Sequence, residues 1–497
     1  MITKKPFYIT TTLPYVNAEP HIGHALEFVR ADVIARYKES LGYDVFFNTG
    51  TDEHGTKILE GAEKEGISVQ EYVDRNAARF KELYPKLGIT KDIHFIRTTD
   101  EKHIKAAQEI WKRCDQNGYI DKKEYEAKYC VGCELHKTDS ELIDGKCPIH
   151  PNREIEIIKE ENYFFAFKKI KPKLKELYEN NPSLVIPDFR FNEIKAFLDR
   201  GLEDFSISRL KSNMSWGIPV PGDDEHVMYV WFDALTNYIS TLDWPEGENY
   251  KKYWEQVGQE KREVVQYCGK DNLRQQSAIW QAMLLAAELP TTTNIIINGF
   301  VTAPDGTKMS KSLGNVVSPT EVIEAFKDVT DYPEDVIRFV LLHDISSFED
   351  GGMSLESIKQ SYQAHLQNGI GNLTNRIMKL AVTYDVRLLE GETFVESINT
   401  PNYLHVSPAL DIFYVKEAID GLMACIKTID NNIQQQEPFK VIKIDEIKGK
   451  VLIHKNLHDL WIIAQMLSVF MPSTSTKIIE CIRENKMPEK PLFNRLP

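Results

Sequence analysis

The sequence predicts an α/β protein with a doubly wound parallel sheet, which is interrupted by a cysteine-bearing insertion and followed by an all-α helical bundle. Short β-branched and aromatic runs that end in polar, glycine-containing turns predict the strands, at residues 7–12, 44–49, 263–268 and 294–300. Amphipathic helical segments separate these runs. From residue 354 onward, apolar residues recur at steps of three and four, which predicts the bundle.

Composition and charge are those of a large globular protein. The length of 497 residues suggests two to four domains, and a hydrophobic content of 42% is enough for a core. No apolar run approaches the length of a membrane span. The formal net charge of −14 taken alone argues against a nucleic-acid partner, although a local basic face is compatible with an acidic total. The chain has seven cysteines, which is an odd number, and we see no signal peptide. These features predict a protein of the reducing cytoplasm rather than one held together by disulfides.

The first predicted strand leads through a proline-containing turn into a helix. That helix opens with His21-Ile22-Gly23-His24 and continues with apolar residues at helical steps. A helix N-terminus offers free N–H groups to an anion, the glycine permits close backbone approach, and imidazoles donate hydrogen bonds to phosphate oxygen. The stretch alone fits a phosphate site and a tight turn with two surface histidines about equally.

A second stretch, residues 305–312, supplies cations. Lys308 and Lys311 lie in a loop with glycine and serine after a buried strand, which suits a mobile basic arm for polyphosphate; a solvated basic turn is the alternative. In this order and separation, the two stretches resemble the HIGH and KMSKS signatures of class I aminoacyl-tRNA synthetases. The resemblance is closest to methionyl-tRNA synthetases, covers nearly the whole chain, and weakens after about Met353.

That resemblance implies a Rossmann-like catalytic domain that activates L-methionine with ATP to methionyl-adenylate, with release of pyrophosphate. The methionine is then transferred to the 3′-terminal adenosine of tRNA(Met), both initiator and elongator. His21 and His24 would stabilise the α-phosphate, while Lys308, Lys311 and a Mg²⁺ ion would carry the pyrophosphate charge. The resemblance implies further ATP contacts at Gly23, Glu27, Gly269, Asp271, Gly299, Ser310 and Ser312.

Four residues in the middle of the chain have metal-ligand spacing, C-x2-C-x13-C-x2-H: Cys130, Cys133, Cys147 and His150. Two short ligand pairs with three thiolates and one imidazole suit one structural Zn²⁺ per chain, with no open position for zinc chemistry. A redox C-x-x-C is the weaker alternative, because the second pair would then have no role. The module resembles the one-zinc connective insertion of methionyl-tRNA synthetases, and its length implies no separate editing domain.

An amino-acid pocket is predicted in two ways. Asp52 follows a predicted strand, so at the carboxyl edge of an open sheet it is placed to meet a cation, although it would also serve as a helix N-cap. The resemblance assigns Asp52 to the α-amino group of methionine. It assigns the side-chain pocket to Leu13, Tyr15, Trp231, Ala234, Tyr238 and Trp280. Asn272 and Gln276 border the same pocket but depart from the aliphatic residue and histidine that the family usually has there.

The helical C-terminal region is generic in itself and would also suit a dimerisation or scaffold module. Helical patterns are predicted over residues 358–380, 408–435, 444–470 and 474–483. By resemblance this region binds the anticodon, through Asn372 and Arg376 on one helix face and through stacking on Phe439. An ordinary solvated helix face is the alternative for the first two. We expect a monomer.

The predicted domains are two catalytic halves at 1–117 and 226–320, the insertion at 118–225, a linking stem-contact region at 321–353 and the anticodon-binding domain at 354–497. Three other interpretations remain open. They are a class I synthetase for another amino acid, a nucleotidyltransferase of related fold without tRNA, and a non-catalytic tRNA-binding protein. Asn272 and Gln276 support the first, the helical C-terminus speaks against the second, and the intact signatures speak against the third.

Overall fold

The computed structural model describes residues 4–133, 135–137, 142–255, 262–309, 317–388 and 406–496. Of the predicted site residues, Ser310, Lys311 and Ser312 lie outside the described residues. No helix in the described ranges is both long enough and apolar enough to cross a bilayer.

Strands and helices alternate through the first two thirds of the chain, and helices alone make up most of the last third. The strands are, in chain order, β1 (Pro6–Thr11), β2 (Asp44–Thr51), β3 (His94–Arg97), β4 (Ile120–Cys130), β5 (Leu135–Lys137), β6 (Glu156–Phe165), β7 (Val185–Ile186), β8 (Phe205–Ser206), β9 (Ser208–Leu210), β10 (Pro219–Val220), β11 (Asp223–Met228), β12 (Glu263–Gly269), β13 (Asn294–Asn298), β14 (Val301–Thr302) and β15 (Gly351–Gly352). The α-helices are α1 (Ile22–Ser40), α2 (Thr56–Glu65), α3 (Val69–Lys86), α4 (Glu101–Gln116), α5 (Phe167–Asn180), α6 (Asp188–Arg200), α7 (Val230–Ala234), α8 (Asn237–Ser240), α9 (Glu248–Tyr253), α10 (Gln281–Ala286), α11 (Pro319–Phe326), α12 (Pro333–His343), α13 (Leu355–Ser361), α14 (Asn372–Thr383), α15 (Val406–Asp411), α16 (Val415–Gln436), α17 (Pro438–Val441), α18 (Glu446–Phe470) and α19 (Pro472–Glu484).

The central sheet has six parallel strands in the order β3–β2–β1–β12–β13–β7. The chain runs outward from β1 through β2 to β3, and it later returns to the opposite side of β1 as β12. The topological switch point therefore lies between β1 and β12, and open α/β sheets bind ligands in the crevice at that point. The predicted doubly wound α/β class is confirmed.

Side chains of the central strands point alternately to two faces, and both faces are buried. Phe7 and Ile9 belong to the apolar core on one face, whereas Tyr8 packs into the core on the other. Burial on both faces explains why β13 is a continuous apolar run between two asparagines. The first of these cores continues through α12 into the C-terminal helices, so the sheet and the helical region share one core.

The segment 118–225 folds mainly as two small antiparallel sheets, ordered β5–β4–β6–β8 and β10–β11–β9. The same segment also supplies an edge strand to the central sheet, since Val185 of β7 pairs with Ile295 of β13. The sequence analysis did not anticipate this strand, because two residues carry no periodic pattern.

The predicted helical character of the C-terminal region is confirmed, but two predicted segments are not continuous. A π-helical stretch, Tyr362–Gly371, interrupts the apolar stripe over 358–380, and Gly369 inside it leaves helical geometry with φ −89° and ψ −107°. The single helix over 408–435 is wrong, because α15 ends at Asp411 and α16 begins at Val415. Between them Phe413 has φ +66°, which a right-handed helix does not allow.

Helix α1 carries an ion pair with no solvent exposure. The Asp32 carboxylate lies 2.7 Å from the guanidinium of Arg338 on α12, and both side chains are fully buried. Asp32 also accepts hydrogen bonds from Arg36 Nε at 2.7 Å and from the Thr90 backbone N–H at 2.9 Å. Every charge in the group thus has a partner, as burial requires.

Two buried arginines connect α1 to other parts of the chain. Arg338 donates from Nε to the Phe470 carbonyl at 2.7 Å, where α18 ends. Arg30 of α1 donates to Asn298 Oδ1 at 2.8 Å and to the carbonyls of residues 345–347. These bonds link α1 to the end of β13, to α12 and to the C-terminal helices.

Candidate active site

A cavity of about 770 Å³ opens at the switch point, where the carboxyl ends of β1 and β12 meet the start of α1. It brings together the predicted site residues of the catalytic region that the structure describes, with the exception of Trp280. Those that line it are Leu13, Tyr15, His21, Gly23, His24, Glu27, Asp52, Trp231, Ala234, Tyr238, Gly269, Asp271, Asn272, Gln276, Gly299 and Lys308. Residues from widely separated parts of the sequence thus meet in one site.

The two histidines of the first motif cap helix α1. The His21 ring nitrogen Nδ1 accepts from the Gly23 backbone N–H at 3.1 Å, and His24 Nδ1 accepts from the His21 backbone N–H at 3.2 Å. Their rings stack with centroids 3.6 Å apart. Since each Nδ1 is an acceptor, the proton of each neutral ring is on Nε2, where it is available to a ligand.

Desolvation favours the neutral form of both rings. It lowers the pKa of His21, with a smaller contribution from the positive charge of Lys308. It lowers the pKa of His24 well below the usual value, and His21 adds to this effect. The pair therefore offers two neutral N–H donors at a helix N-terminus, which suits an anion without adding positive charge.

Lys308 lines the same cavity, at the start of the second motif. A tight turn precedes it, with Gly306 at φ +82° and an isolated bridge between Lys308 and Thr302. Its charge acts on Asp271, where it counteracts the effect of desolvation, which raises the pKa of that carboxyl group. The cavity lining thus combines a cationic donor, two neutral donors and carboxyl groups.

Burial strongly affects the carboxyl group of Glu27. Glu27 lies on α1 and accepts a hydrogen bond from the Thr12 backbone N–H at 2.6 Å, just past the end of β1. Burial raises its pKa to about 8, and the negative charge of Asp271 adds to the shift. At neutral pH the Glu27 carboxyl is therefore mostly protonated.

The glycines of the site make room for neighbouring protein groups. A Cβ on Gly23 would lie 3.1 Å from the His21 ring, and one on Gly269 would lie 2.6 Å from Asp271 Oδ1. At Gly299 a Cβ would come within 2.2 Å of the Glu349 carbonyl carbon. The resemblance implies an ATP contact at Gly299, and in the structure this glycine is also required because the main chain passes close to it at residues 349–350.

The predicted amino-acid pocket adjoins this region. Backbone bonds between Asp52 and the segment after β1 hold the two together, from the Asp52 N–H to the Pro14 carbonyl at 3.0 Å and from the Val16 N–H to the Asp52 carbonyl at 3.2 Å. The Asp52 side chain therefore lies in the wall that also carries Leu13 and Tyr15. A carboxylate beside an apolar, aromatic pocket suits an amino acid with an apolar side chain.

Trp280 does not line the cavity. It is fully buried behind Tyr238, with the two ring centroids 5.7 Å apart in an edge-to-face arrangement. The structure thus places it as support for the pocket wall. Asn272 lines the cavity at the end of a 3₁₀ turn, Lys270–Asn272, and Gln276 lines it from the π-helical stretch Gln275–Trp280.

The predicted metal ligands form one cluster, in which all four ligand atoms lie within 4.8 Å of one another. Cys133 Sγ is 3.3 Å from Cys147 Sγ and 3.2 Å from His150 Nδ1, and Cys130 Sγ is 3.9 Å from the same nitrogen. Zinc–sulfur bonds of about 2.3 Å give tetrahedral edges of roughly 3.8 Å, so the donor set fits one tetrahedral ion. None of the four is in a disulfide.

Sequence reasoning missed two features of the cavity wall. Cys133 lines the cavity and also belongs to the metal cluster, so the turn at residues 130–133, called the knuckle below, reaches the site. Lys57 also lines it and donates from Nζ to the Gly132 carbonyl at 2.9 Å. A lysine in the first turn of a helix gives no signal in the sequence, and only the approach of the knuckle in space reveals its position.

The three predicted anticodon contacts are partly accessible. Asn372 is exposed at the start of α14, and Phe439 is 38% exposed on α17. Arg376 lies one turn after Asn372 and forms a partly exposed ion pair with Asp430 of α16. An RNA base that used Arg376 would therefore compete with this carboxylate.

Comparison with known proteins identifies the class to which this fold and site belong. The family model described as "tRNA synthetases class I (M)" matches residues 7–156 and 151–378. These ranges cover more than half of the chain and include both signature stretches as well as the metal cluster. The fold and the site are thus those of a class I tRNA synthetase.

Individual relatives narrow the assignment. The methionine–tRNA ligase of Thermotoga maritima is 37% identical to this chain over 498 residues, which span 97% of this chain and 76% of the relative. The methionine–tRNA ligase of Brucella suis is 35% identical over 97% of this chain and 92% of the relative. A Mycobacterium tuberculosis methionyl-tRNA synthetase in complex with methionyl-adenylate has a TM-score of 0.87 at 31% identity, with 98% of this chain and 95% of that chain covered. The chain belongs to the methionine–tRNA ligase family of enzymes.

The raised pKa of Glu27 gives a prediction about stability. Between its usual value of 4.5 and its value of about 8, the folded protein holds a proton on Glu27 that the unfolded chain has lost. The free energy of unfolding therefore falls as the pH rises through this window. Urea unfolding at several pH values should show a smaller fall for Glu27→Gln, whose amide does not ionise. Identical pH dependence of the two proteins would contradict the assignment.

Proposed function

We propose that this chain is a methionine–tRNA ligase. It activates L-methionine with ATP to methionyl-adenylate, releases pyrophosphate, and transfers methionine to the 3′-terminal adenosine of initiator and elongator tRNA(Met). The observation that carries the proposal is one cavity that places the neutral His21–His24 pair and Lys308 beside an aromatic pocket with Asp52 in its wall. The named relatives support the substrate.

Different residues bind methionine and stabilise the reacting phosphate. Asp52 binds the α-amino group of methionine, and Leu13, Trp231 and Ala234 surround its side chain. The methionine carboxylate then attacks the α-phosphate in line, which requires positioning and charge stabilisation rather than a covalent nucleophile. The Nε2–H groups of the two histidines donate to the α-phosphate as it becomes crowded.

The other charged groups serve ATP. Lys308 and Lys311 hold the leaving pyrophosphate, and Mg²⁺ that arrives with ATP supplies further positive charge. Glu27, Gly269 and Asp271 lie at the switch point, where the nucleoside of ATP is expected. In this proposal Ser310 and Ser312 also bind ATP.

Activation of a different amino acid is the second candidate. Asn272 and Gln276 favour it, since both line the cavity and both differ from the family's usual residues. The remaining pocket residues match a methionine site, so we prefer methionine.

In this proposal Cys130, Cys133, Cys147 and His150 hold one structural Zn²⁺. A bound ion would hold residues 130–133 and 147–150 together, and these residues include Gly132, whose carbonyl accepts a hydrogen bond from Lys57 Nζ at 2.9 Å. The helical region 354–497 binds the anticodon through Asn372, Arg376 and Phe439. The catalytic region comprises 1–117 and 226–320, with the insertion 118–225 and the stem-contact region 321–353.

ATP–pyrophosphate exchange, measured with each of the twenty amino acids singly, should appear with methionine alone. His24→Ala should lower the exchange rate by about 10²–10³, because a donor to the transition state is lost. His458→Ala on α18 serves as the control and should leave the rate unchanged. Exchange with another amino acid would contradict the substrate, and a His24→Ala rate like that of the control would contradict the role of the histidine pair.

Metal analysis of the purified protein should find about one zinc per chain. Cys133→Ser should lose the metal, and it should unfold at a lower temperature because metal binding contributes folding energy. Cys425→Ser, which alters a cysteine outside the cluster, is the matched control. A metal content in Cys133→Ser equal to that of the control would rule out the proposed ligand set.

Arg376→Ala should lower kcat/KM for aminoacylation of tRNA(Met) by roughly tenfold or more, relative to kcat/KM for exchange, since a base-specific arginine contributes about 1–3 kcal/mol. Arg387→Ala is the control, because Arg387 is an exposed arginine of the same region that pairs with Asp385 at 3.0 Å. If both variants aminoacylate equally well, Arg376 does not contact the anticodon.

A further inference from the structure

Asn298, the last residue of β13, has only one end of its side-chain amide bound to other parts of the protein. Asn298 is 2% exposed and lines the cavity at the switch point. Its Oδ1 accepts a hydrogen bond from Arg30 of α1 at 2.8 Å. Its Nδ2 has no hydrogen-bond partner among the residues that the structure describes. An amide nitrogen carries two hydrogens, and a buried donor without an acceptor costs free energy, so we expect a ligand in the cavity to supply the acceptor.

Arg30 determines which end of the Asn298 amide is left for the cavity. Burial lowers the pKa of Arg30 to about 10, so its guanidinium is protonated at neutral pH, and a guanidinium only donates hydrogen bonds. The amide oxygen therefore has to face Arg30, since the reverse orientation would set N–H against N–H. Arg30 is itself fixed by bonds of 2.6–3.0 Å to the carbonyls of residues 345–347. The NH2 group is thus oriented before any ligand binds.

The strand register places Asn298 beside the groups that the proposed function assigns to the nucleoside of ATP. Asn298 is the parallel partner of Gly269, the last residue of β12, and Asp271 lies in the turn that follows. Glu27 and Arg30 are three residues apart on α1, so they share one face of that helix. Glu27, Gly269 and Asp271 line the cavity together with Asn298. The unpaired NH2 group therefore lies at the carboxyl ends of β12 and β13, where we expect the adenosine part of ATP.

We propose that Asn298 is an ATP-binding residue that donates a hydrogen bond from Nδ2 to the adenosine. This inference rests on the proposed function and adds a contact to it. The acceptor is a ring nitrogen of adenine or a hydroxyl oxygen of the ribose. An ionised carboxylate such as that of Asp271 only accepts hydrogen bonds, so it cannot serve an acceptor on the nucleoside, whereas the Asn298 amide can. Because Arg30 already fixes the amide, little side-chain freedom is lost when ATP binds.

The test measures KM for ATP and KM for methionine in ATP–pyrophosphate exchange. Asn298→Asp keeps the shape of the side chain and an oxygen for Arg30, but it replaces the NH2 donor with an acceptor. We expect KM for ATP to rise by about five- to tenfold, the equivalent of one hydrogen bond, and KM for methionine to stay within about twofold. Asn294→Asp is the matched control at the other end of β13, because the Asn294 amide donates to the Ser183 carbonyl at 2.9 Å, away from the cavity.

Analogues of ATP separate a direct contact from a general effect of the added charge. The 1-deaza, 3-deaza and 7-deaza analogues each lack one ring nitrogen of adenine, and the 2′-deoxy and 3′-deoxy analogues each lack one ribose hydroxyl. We expect one of these analogues to bind the wild-type protein more weakly than ATP does and to show a much smaller further loss in Asn298→Asp. That analogue identifies the acceptor. An equal rise of KM for ATP and for every analogue would overturn the inference.

If Asn298→Asp does not fold, Asn298→Ala provides the same comparison, since it removes the donor without adding a charge. A folded Asn298 variant whose KM for ATP equals that of Asn294→Asp would overturn the inference and leave the proposed function intact. Absence of methionine-dependent exchange in the wild-type protein would instead overturn the proposed function itself.

Discussion

The buried ion pair between Asp32 and Arg338 is the interaction on which the rest of the structure depends. Both side chains are fully buried, and removing one partner of such a pair typically costs 3–5 kcal/mol, since the other charge remains buried. The pair fixes α1 against α12 and, through Arg338, against the end of α18. Because α1 begins with the capping histidines and carries Glu27, this anchoring also determines where the His21–His24 end of the cavity lies.

The features that the sequence predicts well are those encoded by neighbouring residues. The strand-to-helix turn before His21, the spacing of the metal ligands around Cys133, and the polar turns after β2 and β12 are all local patterns, and the structure places them as expected. The doubly wound class follows from these patterns, because carboxyl ends of parallel strands converge on one edge. The family assignment rests on the same stretches and is confirmed by the relatives.

The features that the sequence does not predict arise from contacts between distant residues. Two-residue β7 joins the sheet only because β13 offers a free edge, and the break at Phe413 depends on a single φ angle. Trp280 supports Tyr238 from behind instead of lining the pocket.

In the proposed function, the phosphate side of the cavity is built on the start of α1, and the amino-acid side is built on the segments that follow β1 and β2 together with α7 and α8. The position of α1 relates the two sides to each other. Urea unfolding of Asp32→Asn tests this account most directly, with Glu248→Gln, which alters an exposed pair with Lys251, as the control. The account predicts that Asp32→Asn lowers the free energy of unfolding by about 3–5 kcal/mol, because Arg338 is left buried without its counter-charge. An unfolding free energy equal to that of the control would contradict it.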